Sequence, residues 1–141
     1  MGARVWSSTV MEGEPFILTA YWVAPDRTVL NNTGSGQGGV TSTDLSVYRL
    51  TGPESRTIVW SGALSTSPFP VPTPTVGDGL SRYAKGWNFR YVYGGFIDFI
   101  LEGGMTYELE FVAHGTGVLA GKTFDPMVMK HRLTVVPRKS G

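Results

Sequence analysis

A chain of 141 residues without cysteine, with 12 Lys and Arg against 11 Asp and Glu, can bury a core as one domain without staples, and it has no disulfide, thiolate metal site or cysteine nucleophile. Its net charge of +1 leaves no electrostatic footprint for nucleic acid, and no apolar run reaches the ~20 residues of a membrane-spanning helix. Nineteen glycines and nine prolines, with helix formers scarce, predict an all-β fold.

Strands are expected where apolar residues alternate, or where β-formers run between Gly and Pro clusters. The first is 3–10, inside an N-terminal arm (1–12) whose Trp6 is a candidate partner contact. The opening "MGARVWSSTVMEGEP" has no apolar stretch of signal-peptide length, so the chain is expected to stay where it is made unless it is a piece of a larger secreted protein. The second strand is 15–24, followed by the Gly-rich loop "NNTGSGQGGVTS" at 31–42. That loop lacks a P-loop lysine and precedes a strand rather than a helix, so it cradles no phosphate. Strands at 43–50 and 56–63 come next.

The loop at 64–86 contains "SPFPVPTPTVGDG", with prolines at 68, 70, 72 and 74. Proline fixes φ and lacks an N–H, so the run is extended and stripped of donors along one edge, whereas Phe69, Val71, Thr73 and Thr75 keep theirs on the other. Two readings follow. The segment is an edge strand or stiff loop protected against further pairing, or it is an arm on a neighbouring molecule with Phe69 and Val71 as anchors.

Then "YAKGWNFRYVYGGF" supplies six aromatic residues within fourteen. Alternation in the strand at 87–93 puts Trp87, Phe89, Tyr91 and Tyr93 on one face and Asn88, Arg90 and Val92 on the other. That aromatic face is either core or a platform for sugar rings or a protein partner, with Trp87, Tyr91 and Tyr93 as its contacts. A strand is expected at 96–101. At 105–114, Tyr107, Leu109, Phe111 and Ala113 line a core face opposite a solvated row of Thr106, Glu108 and Glu110. The last strand, 127–136, has His131 on its apolar face, where a hydrogen-bonded or boundary histidine is expected rather than a ligand. The basic residues Lys130, Arg132, Arg138 and Lys139 read as a solvated strand face and a charged tail at 137–141.

Little here carries catalysis. A glycosidase needs two carboxylates across a cleft, and only Asp98 and Glu102 in "FIDFILEGG" suggest one; the plainer reading bonds Asp98 to a turn backbone or to Arg90. No GxSxG nucleophile motif is present. The expectation is a protein that is not an enzyme, with no cofactor and no metal.

The stretch "LEGGMTYELEFVAHGTG", 101–117, resembles the E–F corner of fibronectin type III and related immunoglobulin-like domains. The resemblance implies that the Tyr107 hydroxyl bonds back to the backbone upstream, with Leu101 and Gly104 completing the corner. "PFILTAYWVAPD" is similar to strand B of the family, with Trp22 at the place of its core tryptophan, and "DLSVYRL" with "RTIVWSG" resemble strands C and C′. Together they cover about two thirds of the chain and imply an antiparallel immunoglobulin-like β-sandwich with long loops; the jelly roll is the alternative.

By analogy with phage structural proteins that look like this, the expected role is a virion or capsid accessory that decorates or braces a shell. It would be made in the host cytoplasm and would bind neighbouring subunits, or copies of itself, through its loops and tails. The alternative is a carbohydrate-binding or adhesin module whose aromatic platform takes a glycan.

Overall fold

The computed structural model describes residues 4–22, 30, 39–52, 54–64, 68–69, 88–94, 99–115, 118–119, 122–123 and 127–138, with the backbone alone at 4–6, 118–119 and 122–123. Nine strands follow one another with no helix among these residues: β1 (Arg4–Met11), β2 (Phe16–Ala20), β3 (Ser42–Leu50), β4 (Arg56–Ala63), β5 (Phe89–Tyr93), β6 (Thr106–His114), β7 (Val118–Leu119), β8 (Lys122–Thr123) and β9 (Met127–Val136). A five-stranded sheet runs in the order β1-β9-β6-β3-β4; β2 pairs with β5 in a second sheet, and β7 with β8 in a hairpin.

The alternation at 107–113 decides how the sheets meet. Tyr107, Leu109, Phe111 and Ala113 of β6 are buried, beside Leu45 and Val47 of β3 and Met129, Leu133 and Val135 of β9. Facing them from the second sheet are Leu18, Ala20 and Phe89. Phe111 bridges the layers, its ring 4.8 Å from Phe89 and 5.3 Å from Tyr91, with the edge-to-face geometry that aromatic quadrupoles favour. The protein is an all-β sandwich of two packed sheets.

Several expectations need correction. The sandwich is not wholly antiparallel: β1 runs parallel to β9, from Arg4 opposite Met129 to Met11 opposite Val136. Parallel neighbours need a long crossover, and here the rest of the fold is that crossover. Residues 4–11 form a strand of the sheet, close to the expected strand at 3–10. The second strand stops at Ala20, because the N–H and C=O of Trp22 are both taken by the Asn88 side chain, each at 2.6 Å. Of the expected strand 96–101, residues 99–101 are irregular and 95–98 lie outside the described residues. Between Val47 and Tyr48 the register slips, so that Trp60 and Ile58 have partners on β3 while Val59 has none, a bulge in an edge strand.

Candidate interaction surface

In the two segments that sequence alone offers as contacts, Phe69, Tyr91 and Tyr93 pack against the core. Phe69 is 0 % exposed, with its ring 5.5 Å from Trp22 and 5.6 Å from Phe89. It anchors the proline segment on its own molecule, and a side chain with no accessible surface cannot anchor a neighbour. The N–H of Arg90 donates to the C=O of Pro68 at 2.7 Å, so at this point the edge without donors faces β5. Proline lacks a donor, yet its carbonyl still accepts, which is what β5 needs from it. Val71 lies outside the described residues, as do Trp87 and Asp98; Trp6 sits opposite His131 in β1 and its side chain is likewise not described.

The aromatic face of β5 is core. Phe89 and Tyr93 are buried and Tyr91 packs against Phe111, so Tyr91 and Tyr93 are not a platform. The Tyr93 ring stacks on Phe16 at 4.8 Å, and its hydroxyl donates to the Phe99 carbonyl at 2.8 Å. Burial raises its phenol pKa, against a backbone hydrogen bond from Leu101. Sequence reasoning missed Asn88, which parity puts on the solvated face. It precedes β5, is buried, and holds the N–H and C=O of Trp22 and the C=O of Leu30, the last at 2.8 Å. A polar residue between two aromatics was the available signal, because a buried amide must find partners.

At the corner, the N–H of Glu102 donates to the Tyr107 hydroxyl at 3.0 Å, Leu101 is buried, and Gly104 holds φ at +84° in the turn before β6. Glu102 is otherwise exposed. A second tie runs through Glu12, at the end of β1. Its carboxylate accepts from Gly103 N–H at 2.8 Å and from Arg138 N–H at 3.3 Å, while Arg138 reaches Glu14 at 2.6 Å. Gly103 must be glycine, since a Cβ there would lie 2.6 Å from the Pro137 Cα. The start of the basic tail is thus pinned to the end of β1. Both backbone donors lower the Glu12 pKa, Gly103 most.

The outer face of the large sheet is a charge ladder rather than a row of free groups. Arg56 on β4 lies 3.9 Å over the Tyr48 ring and pairs with Glu108 at 2.7 Å and Glu110 at 3.5 Å. Arg132 and Lys130 on β9 approach the same two carboxylates at 3.9 Å. Glu108, expected in solvent, is only 7 % exposed because Tyr48 and these cations cover it. His131 is buried, with Nε2 2.8 Å from the Ser8 hydroxyl; His114 Nε2 meets Asp44 Oδ2 at 2.9 Å. Among the described residues no three metal-capable side chains converge.

Among the described residues, the large hydrophobic side chains that stay exposed are not aromatic: Met11, Ile17, Ile58, Val59, Val92, Ile100, Met105 and Val136. Six of these form neighbouring pairs: Ile17 opposite Val92 on the second sheet, Met11 opposite Val136 on β1 and β9, and Ile58 beside Val59 on the outer strand β4. Single exposed apolar residues are ordinary, whereas pairs at sheet edges suit contact with protein. Comparison with protein-family models, curated proteins and solved structures finds no match for the chain.

Proposed function

We propose that this is a non-catalytic, immunoglobulin-like sandwich that serves as a structural subunit or accessory of a larger protein assembly, a virion component being the instance favoured by analogy. The carrying observation is the chemistry of the accessible apolar surface. Sugar recognition stacks aromatic rings on pyranose faces, yet among the described residues the large exposed apolar side chains are all aliphatic, while Phe89 and Tyr93 are buried. Paired aliphatic residues at strand edges suit another protein.

Strand order supports the immunoglobulin-like assignment over the jelly roll. With β1 to β6 taken as A, B, C, C′, E and F and β9 as G, the sheets are A-G-F-C-C′ and B-E; the grouping of G, F, C and C′ apart from B and E follows the variable-type immunoglobulin pattern, and A departs from it by lying beside G. The Tyr107 hydroxyl bond to Glu102 is the corner bond expected of such domains. The engagement of Glu108 and Glu110 by cations supports a non-catalytic reading, since a general acid or base must be available to substrate.

The test pairs two measurements on the purified chain. Mass by light scattering over rising concentration should show association that weakens in Ile58→Lys and Val59→Lys. Saturable polysaccharide binding that disappears in Trp87→Ala, with no association at any concentration, would overturn the reading in favour of a glycan-binding module.

A further inference from the structure

We propose that the edge of β9 is an exchangeable strand site, and that its partner is β1 of a second copy of this chain. The inference rests on the assembly reading above and gives the partner's identity.

β1 pairs with β9 at eight positions, and among the described residues no strand lies on its other edge. Among its described side chains, residues 7–11, none is buried: Ser7, Thr9 and Met11 are exposed, and Ser8 and Val10 are half-buried. Burial, the term that makes a strand inseparable from its sheet, is partial there: Val10 packs against the core without being fully buried. Backbone pairing adds to it, with the Ser8 bond to His131 at 2.8 Å and, at its end, the Glu12 bond to Gly103 at 2.8 Å. Both partners lie outside β1 and β2, so a β1 lent by another copy meets the same donors and acceptors. Exchange then replaces like with like.

The connection favours it. Only the turn 12–15 joins β1 to β2 in the other sheet, with Gly13 at φ +77° and Pro15 just before β2. Short hinges invite exchange between copies. In dilute solution the tethered β1 wins, because so short a tether gives an effective concentration on the order of millimolar or more. Copies crowded in an assembly, or folding together before β1 docks, reverse that balance. The sheet's other edge is unlike this one: β4 carries the bulge at Val59 and the charge of Arg56, features that discourage edge pairing.

The chain has no cysteine, so engineered thiols report exchange cleanly. Thr9 and Thr134 are opposite each other and exposed. T9C and T134C are mixed, unfolded, refolded together at high concentration and oxidised gently; T9C with S61C, a site on β4, is the control. We expect the interchain disulfide between T9C and T134C to exceed the control about tenfold or more, and to fall when the mixture is refolded dilute. An interchain yield equal to the control, with the T9C/T134C double variant closing its intrachain disulfide as proof that both sites fold correctly, would overturn the proposal. If Ile58→Lys removes association while the thiol cross-link persists, exchange stands and the apolar edge of β4 is a separate contact; if the cross-link fails while association persists, exchange alone falls.

Discussion

Strands β6 and β1 belong to one sheet, with only β9 between them, yet they are held by different physics. β6 buries Tyr107, Leu109, Phe111 and Ala113 and takes hydrogen bonds from a strand on each side. Among the described residues β1 is paired on one side, and its described side chains include none that is buried completely. The difference teaches that membership in a sheet is not membership in the core. A strand fixed by burial stays with its chain, whereas one fixed by backbone and polar bonds can find the same bonds elsewhere.

The sharpest way to break this comparison is to remove what makes β6 permanent. Phe89 touches Trp22, Phe69 and Phe111, so Phe89→Ala is expected to destabilise by about 3–5 kcal/mol in urea unfolding. A loss under about 1 kcal/mol would mean that the two layers are not packed through this cluster. Asn88→Ala should follow, since it removes the side-chain partner of the Trp22 N–H and the Leu30 C=O, at about 1–3 kcal/mol each and less than additively, while the Trp22 C=O keeps its bond from the Leu30 N–H. Tyr107→Phe removes the corner bond and should lower stability by about 1 kcal/mol with no change in the m-value.

The smallest effect is expected at the end of β1 and is a matter of pH. Backbone donors from Gly103 and Arg138 hold the Glu12 pKa below its usual value. A group whose folded pKa is lowered contributes stability above its unfolded pKa, about 4.3, and loses it as pH falls through the folded value. Stability measured from about pH 6 to pH 3 should therefore fall less steeply in Glu12→Gln than in the parent. Identical slopes would remove Glu12 as a tie for β1.

Which of these features a sequence can show follows from the same contrast. The alternation at 107–113 is visible because burial repeats every second residue, and the boundaries at 56–63 and 127–136 coincide with the expected ones because turn formers or prolines flank both runs. Aromatic residues in β5 announce themselves, but whether they face a core or a ligand depends on β6, far along the chain. Long-range pairing is not written locally. Nothing in 4–11 says that its neighbour is β9 or that the pair is parallel, and the burial of Glu108 depends on Tyr48 and Arg56 arriving from β3 and β4. The hairpin of β7 and β8 has strands of two residues, too short for any period to appear. At the proline run the spacing shows that one edge has no donors, and the structure shows at Pro68 that its carbonyl meets β5.

Native-state hydrogen exchange, resolved by residue, tests the central claim most directly. The amides of β1 and the β9 amides paired to them should open at clearly lower free energy than those between β6 and β3, through a local detachment insensitive to denaturant. If β1 exchanges only with global unfolding, at the same free energy as β6, the strand belongs to the core and cannot be lent.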